Sequence, residues 1–491
     1  MYLLSKSSYM KGWQCPKALW LYRNRKDLLP ETSLQKQAML DTGKEVGRLA
    51  RQLFPDGVDC SPVSPVDFGP SLATTQEAIA KGASVLYEAA FQHDGVLAAA
   101  DILVRTANGW HAIEAKSSSG IKDEHIQDMA LQSHVVQGAG LSLTDVSIAH
   151  INTSYVRQGA IDVQRLFTVS SVKAKVDVER IEVPARIASL KTMLAAEAGP
   201  TLSIGPYCDD PHPCDFHHHC WEHVPKERSV FDLTRGGKRV WGLYERGILR
   251  LEDIPSDEKL TPTQQVQVDG WKRDATIMDR ARIAEFVQSL QYPLYHLDFE
   301  TFNPAIPMYE GTRPYQQVPF QSSLHMQASP VAEPIHKAFL GDGTGDPREA
   351  FIEQLLNDLG PTGDILTYNV VFERGRLTEL AHDLPHHAIA IASILPRLKD
   401  LMLPFQKGWL YLPAMNGSYS IKKVLPALVP ELDYSSLNVK EGETVSLLYG
   451  QLCSGLFTGD VEQLRADLLA YCAMDTMAMV RVHEVLRASC A

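Results

Sequence analysis

Apolar positions in the first part of the chain follow helical and strand periods in a mixed order. Leu40, Val46, Leu49 and Leu53 recur at helical spacing, which predicts an amphipathic helix over residues 40–54. Beyond it the pattern predicts, in order, a helix over residues 73–91, strands over 95–105 and 110–117 joined by a turn, a helix over 123–140 and a strand over 145–155. This mixture of elements indicates an α/β fold.

A second α/β region begins at Tyr292. Its pattern predicts strands over residues 292–302 and 364–372, helices over 347–359 and 459–486, and a proline-rich loop over 302–321. The intervening residues 226–290 are polar and helical in character. Within them, residues 243–255 weakly resemble a helix-hairpin-helix binder of DNA backbone, and a plain helical linker is the preferred interpretation.

Length and composition set the number of domains and the class of protein. A chain of 491 residues is too long for one ordinary core, so we predict α/β domains over residues 1–225 and 291–491 with a helical linker over 226–290. No apolar run approaches the roughly 20 residues that span a bilayer, and the start of the chain lacks a signal peptide's apolar region. We therefore expect a cytoplasmic protein with no membrane partner. The net charge of −12 argues against a broad basic surface, but a local basic groove would suffice for a nucleic-acid strand.

Two carboxylates and a lysine converge on the predicted hairpin. Residues i and i+2 of a strand face the same side, so Glu114 and Lys116 project together, and the hairpin brings Asp101 alongside them. Two carboxylates offer the oxygen ligands that Mg²⁺ or Mn²⁺ prefers. Such a metal activates water, and a nearby lysine can orient that water or stabilise the transition state. The alternative is a surface salt-bridge pattern, because the tripeptide ExK is common.

The segment ADILVR…WHAIEAKSSS resembles the PD-(D/E)xK core of RecB-type nucleases. The resemblance implies a restriction-endonuclease-like domain in which the two carboxylates are metal ligands and the lysine is catalytic. Gln132 matches the glutamine of the family's QxxxY motif, although no tyrosine follows at the expected place. Glu88 matches a carboxylate sometimes found before the core, and Gly47 stands roughly where the family has a histidine. The agreement of spacing, hairpin and following helix favours a nuclease over a salt bridge.

The eight cysteines are unevenly distributed. Cys208, Cys214 and Cys220 crowd into one short polar segment, and Cys15 lies near the N-terminus. In a cytoplasmic protein such cysteines are more often metal ligands than disulfides, and this segment is too polar to bury unligated thiols. The remaining cysteines are predicted to be small core residues: Cys60, Cys453, Cys472 and Cys490.

One cysteine before the nuclease core and three after it resemble the pattern of iron–sulfur nucleases, such as the exonuclease of CRISPR adaptation and the AddB subunit of a recombination nuclease. The resemblance implies a [4Fe–4S] cluster, held by Cys15, Cys208, Cys214 and Cys220, that ties the N-terminus to the end of the domain. The intervals among the last three cysteines are longer than the two-residue gap common in that family. Zinc is the rival, since four cysteines, or three with one of His217–His219, would satisfy tetrahedral Zn²⁺.

The second α/β region carries another set of candidate ligands. Asp298 and Glu300 share one face of the predicted strand, and Tyr471 and Asp475 share one face of the last helix. They resemble the first and last motifs of DEDD exonucleases with an RNase H-like fold, of the subtype that ends in YxxxD. That resemblance implies that the carboxylates hold two metal ions and that Tyr471 orients the attacking water.

The segment YNVVFERGRL resembles the middle motif of the same exonucleases. Asn369 and Phe372 are in place, and Glu373 stands where the family has an aspartate. Glu373 is therefore a candidate metal ligand with a longer arm, and Asp400 is an alternative on a following element. The other interpretation is a degenerate RNase H-like domain that is retained for binding or packing.

The combined resemblance is to a family of RecB-type iron–sulfur nucleases with a C-terminal RNase H-like domain. It implies a metal-dependent exonuclease that uses Mg²⁺ or Mn²⁺ and takes nucleic acid, with single-stranded DNA favoured. The rival expectation is a nucleic-acid-binding scaffold whose nuclease sites have decayed. The intact carboxylates and lysine weigh against that rival.

Overall fold

A computed structural model describes residues 3–64 and 67–490 and divides the chain into two compact units. Unit 1 comprises Met1–His223 and Ala305–Tyr315, and unit 2 comprises Val224–Pro304 and Gln316–Ala491. Both units combine β-strands with helices, which confirms the predicted α/β class.

The segment 226–290, which the pattern predicts as a linker, is part of unit 2. Val230, Leu251 and Ile254 are buried in a hydrophobic cluster that extends to Trp271. A free linker would leave these side chains in water, and each buried one contributes about 1.5–3 kcal/mol. The linker prediction therefore differs from the structure because this segment has an apolar cluster of its own.

Unit 1 is organised around one sheet. Its strands are β1 (Leu4–Ser5), β2 (Val58–Asp59), β3 (Val85–His93), β4 (Val96–Thr106), β5 (Gly109–Lys116), β6 (Leu143–Ile151) and β7 (Phe167–Ser171). Within the described residues they pair in the order β2–β3–β4–β5–β6–β7, and β1 lies beside β4. The pairs β3–β4, β4–β5 and β6–β7 are antiparallel, whereas β5–β6 is parallel.

Helices cover both faces of this sheet. They are α1 (Lys6–Gln14), α2 (Pro16–Asn24), α3 (Leu34–Ala50), α4 (Gly69–Ala80), α5 (Asp123–Gly138), α6 (Val163–Leu166), α7 (Lys173–Glu179), α8 (Val183–Ala195) and α9 (His217–Cys220). Leu86 and Leu103 share a hydrophobic cluster with residues of α5 and α8, whereas the neighbouring Tyr87 and Ile102 share one with α3. Successive residues of a strand face opposite sides, so the sheet lies between these helices.

The predicted helix over residues 73–91 is wrong in its second half. Helix α4 ends at Ala80, and Val85 begins strand β3. Gly82 has a φ of 83°, a left-handed conformation that terminates helices. The β-prone residues that follow it then enter the sheet. The predicted hairpin, the helix after it and the next strand are confirmed by β4, β5, α5 and β6.

Unit 2 contains a mixed sheet. Its strands are β8 (Ile277–Met278), β9 (Leu294–Phe302), β10 (Val318–Gln327), β11 (Ile335–Leu340), β12 (Ile365–Thr367), β13 (Leu398–Asp400) and β14 (Leu410–Tyr411). In the part of the chain that the structure describes, five of them pair in the order β11–β10–β9–β12–β13, and β8 pairs with β14. The strands β9, β10 and β11 are antiparallel neighbours, and β12 runs parallel to β9 and β13.

The helices of unit 2 pack on both faces of β9. They are α10 (Lys238–Glu245), α11 (Pro262–Arg273), α12 (Arg280–Gln288), α13 (Arg348–Asp358), α14 (Val370–Asp383), α15 (Ala388–Ile394), α16 (Leu403–Gln406), α17 (Ile421–Leu428), α18 (Gly442–Cys453) and α19 (Val461–Ala488). Leu297 and Phe299 share a hydrophobic cluster with residues of α13 and α14. Asp298 lies between these two residues and therefore faces the opposite side of β9. There its carboxylate lies 3.8 Å from the Sγ of Cys472 on α19. The acidic face of β9 is therefore turned toward the C-terminal helix.

The predicted strand over residues 364–372 is shorter than expected. Strand β12 ends at Thr367, and helix α14 starts at Val370. Asn369 has a φ of 82° and is the residue at which the chain turns into the helix. Asparagine tolerates this left-handed conformation better than most residues. The turn places Glu373 in the first turn of α14. Strands β10 and β11 are not predicted by the pattern.

No helix among the described residues combines the length and the apolar character that crossing a membrane requires.

Two buried histidines make the stability of unit 2 depend on pH. His296 on β9 and His483 on α19 are almost fully buried, and their ring centroids are 5.6 Å apart. Burial lowers the pKa of His296 to about 3 and the pKa of His483 to about 4. The unfolded chain gains a proton at each imidazole near pH 6.5, so both residues increasingly favour unfolding as the pH falls from about 6.5 to about 4.

Replacing His483 with glutamine removes one of these groups. Between about pH 7 and pH 5, the free energy of unfolding of the wild type should fall by on the order of 2 kcal/mol more than that of His483→Gln. Thermal melts at both pH values measure the difference, and His382→Gln, at an exposed histidine, is the matched control. The same pH dependence in wild type and His483→Gln would contradict this account.

Candidate metal centres

The hairpin β4–β5 brings Asp101, Glu114 and Lys116 together in unit 1. Asp101 Oδ2 accepts a hydrogen bond from the backbone N–H of Ala115 at 2.9 Å, and Lys116 Nζ donates to Glu114 Oε1 at 3.0 Å. Glu114 is 2% exposed, so its carboxylate is removed from water. These three residues, together with Gln132, are called the first centre below.

The amide of Gln132 and two lysines donate hydrogen bonds to Glu114. Gln132 Nε2 donates to Glu114 Oε2 at 2.9 Å and to Asp128 Oδ1 at 3.0 Å. Lys6 Nζ donates to Glu114 Oε1 at 2.7 Å, and Lys116 Nζ donates to Asp128 Oδ2 at 2.7 Å. A cation that binds Glu114 therefore has to approach through Oε2, which accepts one hydrogen bond, or displace a lysine from Oε1.

Burial and neighbouring charges determine the protonation of the first centre. Burial raises the pKa of Asp101 well above its ordinary value, and Glu114 raises it further. Burial alone would lower the pKa of Lys116, but Glu114 and Asp128 raise it above its ordinary value. Burial would raise the pKa of Asp128, but Lys6 and Lys116 lower it. Lys116 thus stays protonated, and an added cation would favour the charged form of Asp101.

Glu88 interrupts strand β3 beside Asp101. Its φ is 51°, and the register between β3 and β4 skips both residues. Arg51 donates to Glu88 Oε1 at 3.2 Å, and burial raises the pKa of the Glu88 carboxyl. A left-handed non-glycine residue costs on the order of 1–3 kcal/mol, and such strain is concentrated at functional sites. Glu88 is therefore a further candidate residue of the first centre.

Four cysteines of unit 1 line one small cavity: Cys15, Cys208, Cys214 and Cys220. Cys15 precedes α2 and Cys220 ends α9, so short helices fix two of the thiols. In the described part of the chain, the four sulfur atoms do not form a group whose members all lie within 4.8 Å of one another. The predicted set is thus brought together, with its sulfurs spread around a cavity.

The cysteine thiols are poor ligands until a cation binds. Burial raises the pKa of Cys15 and of Cys220, and it raises the pKa of Cys214 to about 11. Metal ligation requires thiolates, which these groups do not form by themselves at neutral pH. A cation in the cavity would reverse that preference.

Asp298, Glu300 and Asp475 form the second centre, which lies in unit 2. One carboxylate oxygen of each residue lies within 4.8 Å of the other two. The first two come from β9 and the third from α19, so the packing of the last helix on the sheet assembles the group. The three residues line an open cavity of about 700 Å³ together with Tyr471.

The three acids of the second centre repel one another. Burial raises the pKa of Asp298 well above its ordinary value, and Asp475 and Glu300 add to the effect. Burial and Asp475 raise the pKa of Glu300 to about 7, and burial raises the pKa of Asp475 to about 6. Carboxylates this close cannot all ionise near neutral pH unless a cation compensates them. The arrangement therefore favours a divalent ion.

Two tyrosines and a lysine flank Asp475. The Tyr434 hydroxyl donates to Asp475 Oδ1 at 2.6 Å, and the ring centroids of Tyr434 and Tyr471 are 6.3 Å apart. The ammonium of Lys422 lies 5.0 Å from the centroid of the Tyr471 ring. Tyr471 thus lies at the carboxylate group, as the sequence predicts, and Tyr434 fixes one of its members.

Glu373 and Asp400 lie outside the group of three carboxylates. Glu373 is 2% exposed, one of its carboxylate oxygens has no hydrogen-bond partner in the described part of the chain, and burial raises its pKa to about 8. Asp400 Oδ1 accepts hydrogen bonds from the backbone N–H groups of Asn369 and Met402 at 3.1 and 3.0 Å. Asp400 therefore stabilises the turn before α14, and a ligand role for Glu373 stays a prediction.

Sequence reasoning missed Lys6 and Asp128 in the first centre and Tyr434 and Lys422 in the second. Asp128 precedes Gln132 by four residues, and this i, i+4 spacing on one helix was a usable signal. The other three residues come from distant parts of the chain with no local pattern of their own. Only the packing of each unit reveals them.

A family model described as "Domain of unknown function (DUF2779)" matches residues 295–420, which include Asp298, Glu300 and Glu373. Uncharacterized protein UU173 of Ureaplasma parvum serovar 3 is 27% identical over 288 residues, which cover 53% of this chain and 41% of that protein. Uncharacterized protein MG366 homolog of Mycoplasma pneumoniae is 25% identical over 219 residues, which cover 41% of this chain and 33% of that protein. The chain thus spans less than half the length of these curated relatives.

Proposed function

We propose that this protein is a metal-dependent nuclease that hydrolyses phosphodiester bonds. The observation that carries the proposal is the convergence of Asp298, Glu300 and Asp475 in an open cavity of about 700 Å³. Carboxylate oxygens at this spacing suit hard divalent cations such as Mg²⁺ or Mn²⁺. This volume lies within the roughly 300–1,000 Å³ of ligand-binding sites, so the cavity can admit part of a substrate beside the three carboxylates.

The second centre has the groups that phosphodiester hydrolysis requires. Bound Mg²⁺ or Mn²⁺ would lower the pKa of a water molecule and neutralise charge on the phosphate. The three carboxylates would hold the metal, and Tyr434 keeps Asp475 in place through its 2.6 Å hydrogen bond. Tyr471 would orient the attacking water, whose oxygen forms a bond to phosphorus while the bond to the leaving sugar oxygen breaks.

The folds that the sequence resemblances imply belong to this proposal. An RNase H-like domain of the DEDDy type is compatible with carboxylates on the central strand β9 and on the helix α19. A PD-(D/E)xK domain is compatible with the hairpin β4–β5 and the glutamine-bearing helix α5. In this proposal Asp101 and Glu114 bind a metal in the first centre and Lys116 is catalytic.

We further propose that the four cysteines hold a [4Fe–4S] cluster. A zinc ion bound to thiolates at about 2.3 Å in a tetrahedron brings the sulfurs to about 3.8 Å from one another. The sulfurs here are not grouped within 4.8 Å, although all four cysteines line one small cavity. Spacing wider than a single ion requires favours a cluster of several metal atoms.

A cleavage panel tests the nuclease proposal. We expect the full chain to degrade end-labelled single-stranded DNA in Mg²⁺ or Mn²⁺ and to lose this activity in EDTA. Double-stranded DNA and both forms of RNA, run in parallel, define the substrate, because the preference for single-stranded DNA rests on family resemblance alone. Binding without cleavage of any of the four substrates would refute the proposal and favour a nucleic-acid-binding scaffold.

A further inference from the structure

Two cavities of unit 2 meet at a basic loop. The cavity of the second centre shares Thr234, Arg235 and Tyr419 with a neighbouring cavity of about 470 Å³, which continues to Arg239. The shared residues show that the two cavities are adjacent. The cavity of the three carboxylates thus borders a part of the chain that the sequence pattern treats as a linker.

The segment Thr234–Arg239, with the sequence TRGGKR, is called the basic loop here, and its last two residues begin helix α10. Arg235 is exposed, and within the described residues neither it nor Lys238 forms an ion pair. Arg235 has a φ of 49° and Gly237 a φ of 51°, so two residues of the loop are left-handed. Such a conformation is costly for arginine and marks functional loops. Arg235 and Lys238 are therefore available to a ligand, whereas Arg239 lies 4.0 Å from Glu258 and donates a hydrogen bond to Gln264.

Buried glutamines of α11 hold the basic loop in place. Gln267 Oε1 accepts a hydrogen bond from the backbone N–H of Thr234 at 2.8 Å, and Gln264 Nε2 donates to the carbonyl oxygen of Thr234 at 2.8 Å. Both glutamines are 1% exposed. The Thr234 hydroxyl also donates to the carbonyl of Gly417. The loop is therefore fixed before any ligand arrives, which lowers the entropic cost of binding.

An aromatic ring lies next to the arginine at the junction of the two cavities. Arg235 Nε donates to the Tyr419 hydroxyl at 3.0 Å, and the guanidinium carbon lies 5.9 Å from the Tyr419 ring centroid. The Tyr368 hydroxyl donates to the carbonyl of Tyr419 at 2.8 Å and anchors that segment. A cation for phosphates beside a ring for bases is the combination that single-stranded nucleic acid requires.

We propose that the basic loop binds the phosphate backbone of a single nucleic-acid strand and leads it into the second centre. The proposal rests on the proposed nuclease function and adds where the substrate binds. Arg235 contacts a phosphate at the junction of the cavities, Arg239 extends the path, and Tyr419 supports a base. The segment that supplies the loop is thus part of the substrate site.

A binding experiment on the full chain tests this proposal. The probe is a fluorescein-labelled oligothymidylate of about 20 nucleotides. All proteins carry both Lys116→Ala and Asp298→Asn, so that neither proposed centre cleaves the probe while binding is measured. We expect Arg235→Glu to weaken binding about tenfold or more and to reduce the slope of log K against log salt by roughly one. Arg235→Lys should recover most of the affinity, because a phosphate accepts either cation.

The matched control is Arg282→Glu. Arg282 is also exposed in unit 2 and also lies 5.9 Å from an aromatic ring centroid, that of Trp409, but it lines neither cavity. The Arg282→Glu variant should bind the probe as tightly as the parent protein does. Unchanged affinity in Arg235→Glu, an equal loss in Arg282→Glu, or no binding by the parent protein would each overturn the proposal.

Failure of this inference is distinguishable from failure of the nuclease proposal. If the protein with Asp298 restored cleaves DNA, and Arg235→Glu in that background leaves KM unchanged, the basic loop is not the substrate path although the nuclease function stands. If Arg235→Glu weakens binding and the protein with Asp298 cleaves nothing, the path stands and the nuclease function is wrong. Thermal melts of each variant verify that it is folded.

Discussion

The Asp298→Asn variant is expected to cleave at the second centre about 10²- to 10³-fold more slowly than the wild type, the size of effect caused by losing one electrostatic group from an active site. Asparagine keeps the shape of the side chain and removes its charge. Glu300 and Asp475 alone then hold a divalent ion more weakly. Single-turnover cleavage of end-labelled single-stranded DNA in Mg²⁺ or Mn²⁺ measures the loss.

The same variant should be more stable than the wild type when no metal is bound. The raised pKa of Asp298 shows that its charge is unfavourable beside Asp475 and Glu300. The folded wild-type chain therefore loses stability as the pH rises through the ordinary range of a carboxyl toward this higher pKa, and the uncharged amide of the variant avoids that loss. A higher unfolding midpoint in EDTA at neutral pH excludes misfolding as the cause of inactivity. Glu431→Gln, at an exposed carboxylate of unit 2, is the control and should change neither property.

The Lys116→Ala variant distinguishes cleavage at the first centre from cleavage at the second. Two centres that act in parallel each contribute their own rate, so a single variant removes only its own share of the cleavage. Complete loss in Lys116→Ala alone would make unit 2 a binding module, with Glu373 as the reason. Complete loss in Asp298→Asn alone would make the first centre inactive. Undiminished cleavage in the double variant would contradict the nuclease assignment of both centres.

Cys15→Ala is the second change with a large expected effect. Purified without oxygen, the wild-type chain should be brown and contain iron and sulfide, because sulfur-to-iron charge transfer absorbs visible light. Cys15→Ala should bleach the protein and lower the unfolding midpoint of unit 1 by about 10 °C. This estimate treats the cluster as a cross-link worth about 2–5 kcal/mol in a unit of about 200 residues.

The control for that experiment is Cys490→Ala. Cys490 lies in the last described turn of the chain, where its thiol contacts the carbonyl of Leu486 at 3.3 Å, and it does not line the cysteine cavity. The Cys490→Ala variant should retain the colour, iron content and stability of the wild type. One zinc ion per chain with no iron would overturn the cluster and leave the four-cysteine site in place. Full metal content in Cys15→Ala would overturn the site itself.

Local patterns are sufficient where neighbouring residues determine the structure. The hairpin β4–β5, the helix α5 and the strand β9 follow from apolar periodicity and a short turn, and they carry four of the candidate carboxylate ligands: Asp101, Glu114, Asp298 and Glu300. The helix prediction over residues 73–91 fails at Gly82, where a left-handed residue ends α4 and sheet burial takes over. The strand prediction over residues 364–372 fails at Asn369 for a similar reason. At each position one left-handed residue marks the change between helix and strand, and the apolar pattern on either side gives no sign of it.

By itself, the sequence determined the α/β class, the spacing that puts Asp298 and Glu300 on one face, and the grouping of the cysteines. The tertiary structure decided which side chains meet. It brings Asp475 to β9 through the packing of α19, adds Lys6 and Asp128 to the first centre, and turns the expected linker into a buried cluster that presents the basic loop. Periodicity records only whether each residue faces an apolar or a polar environment. Contacts between residues far apart in the chain depend instead on how whole elements pack, and one sequence window carries no information about that.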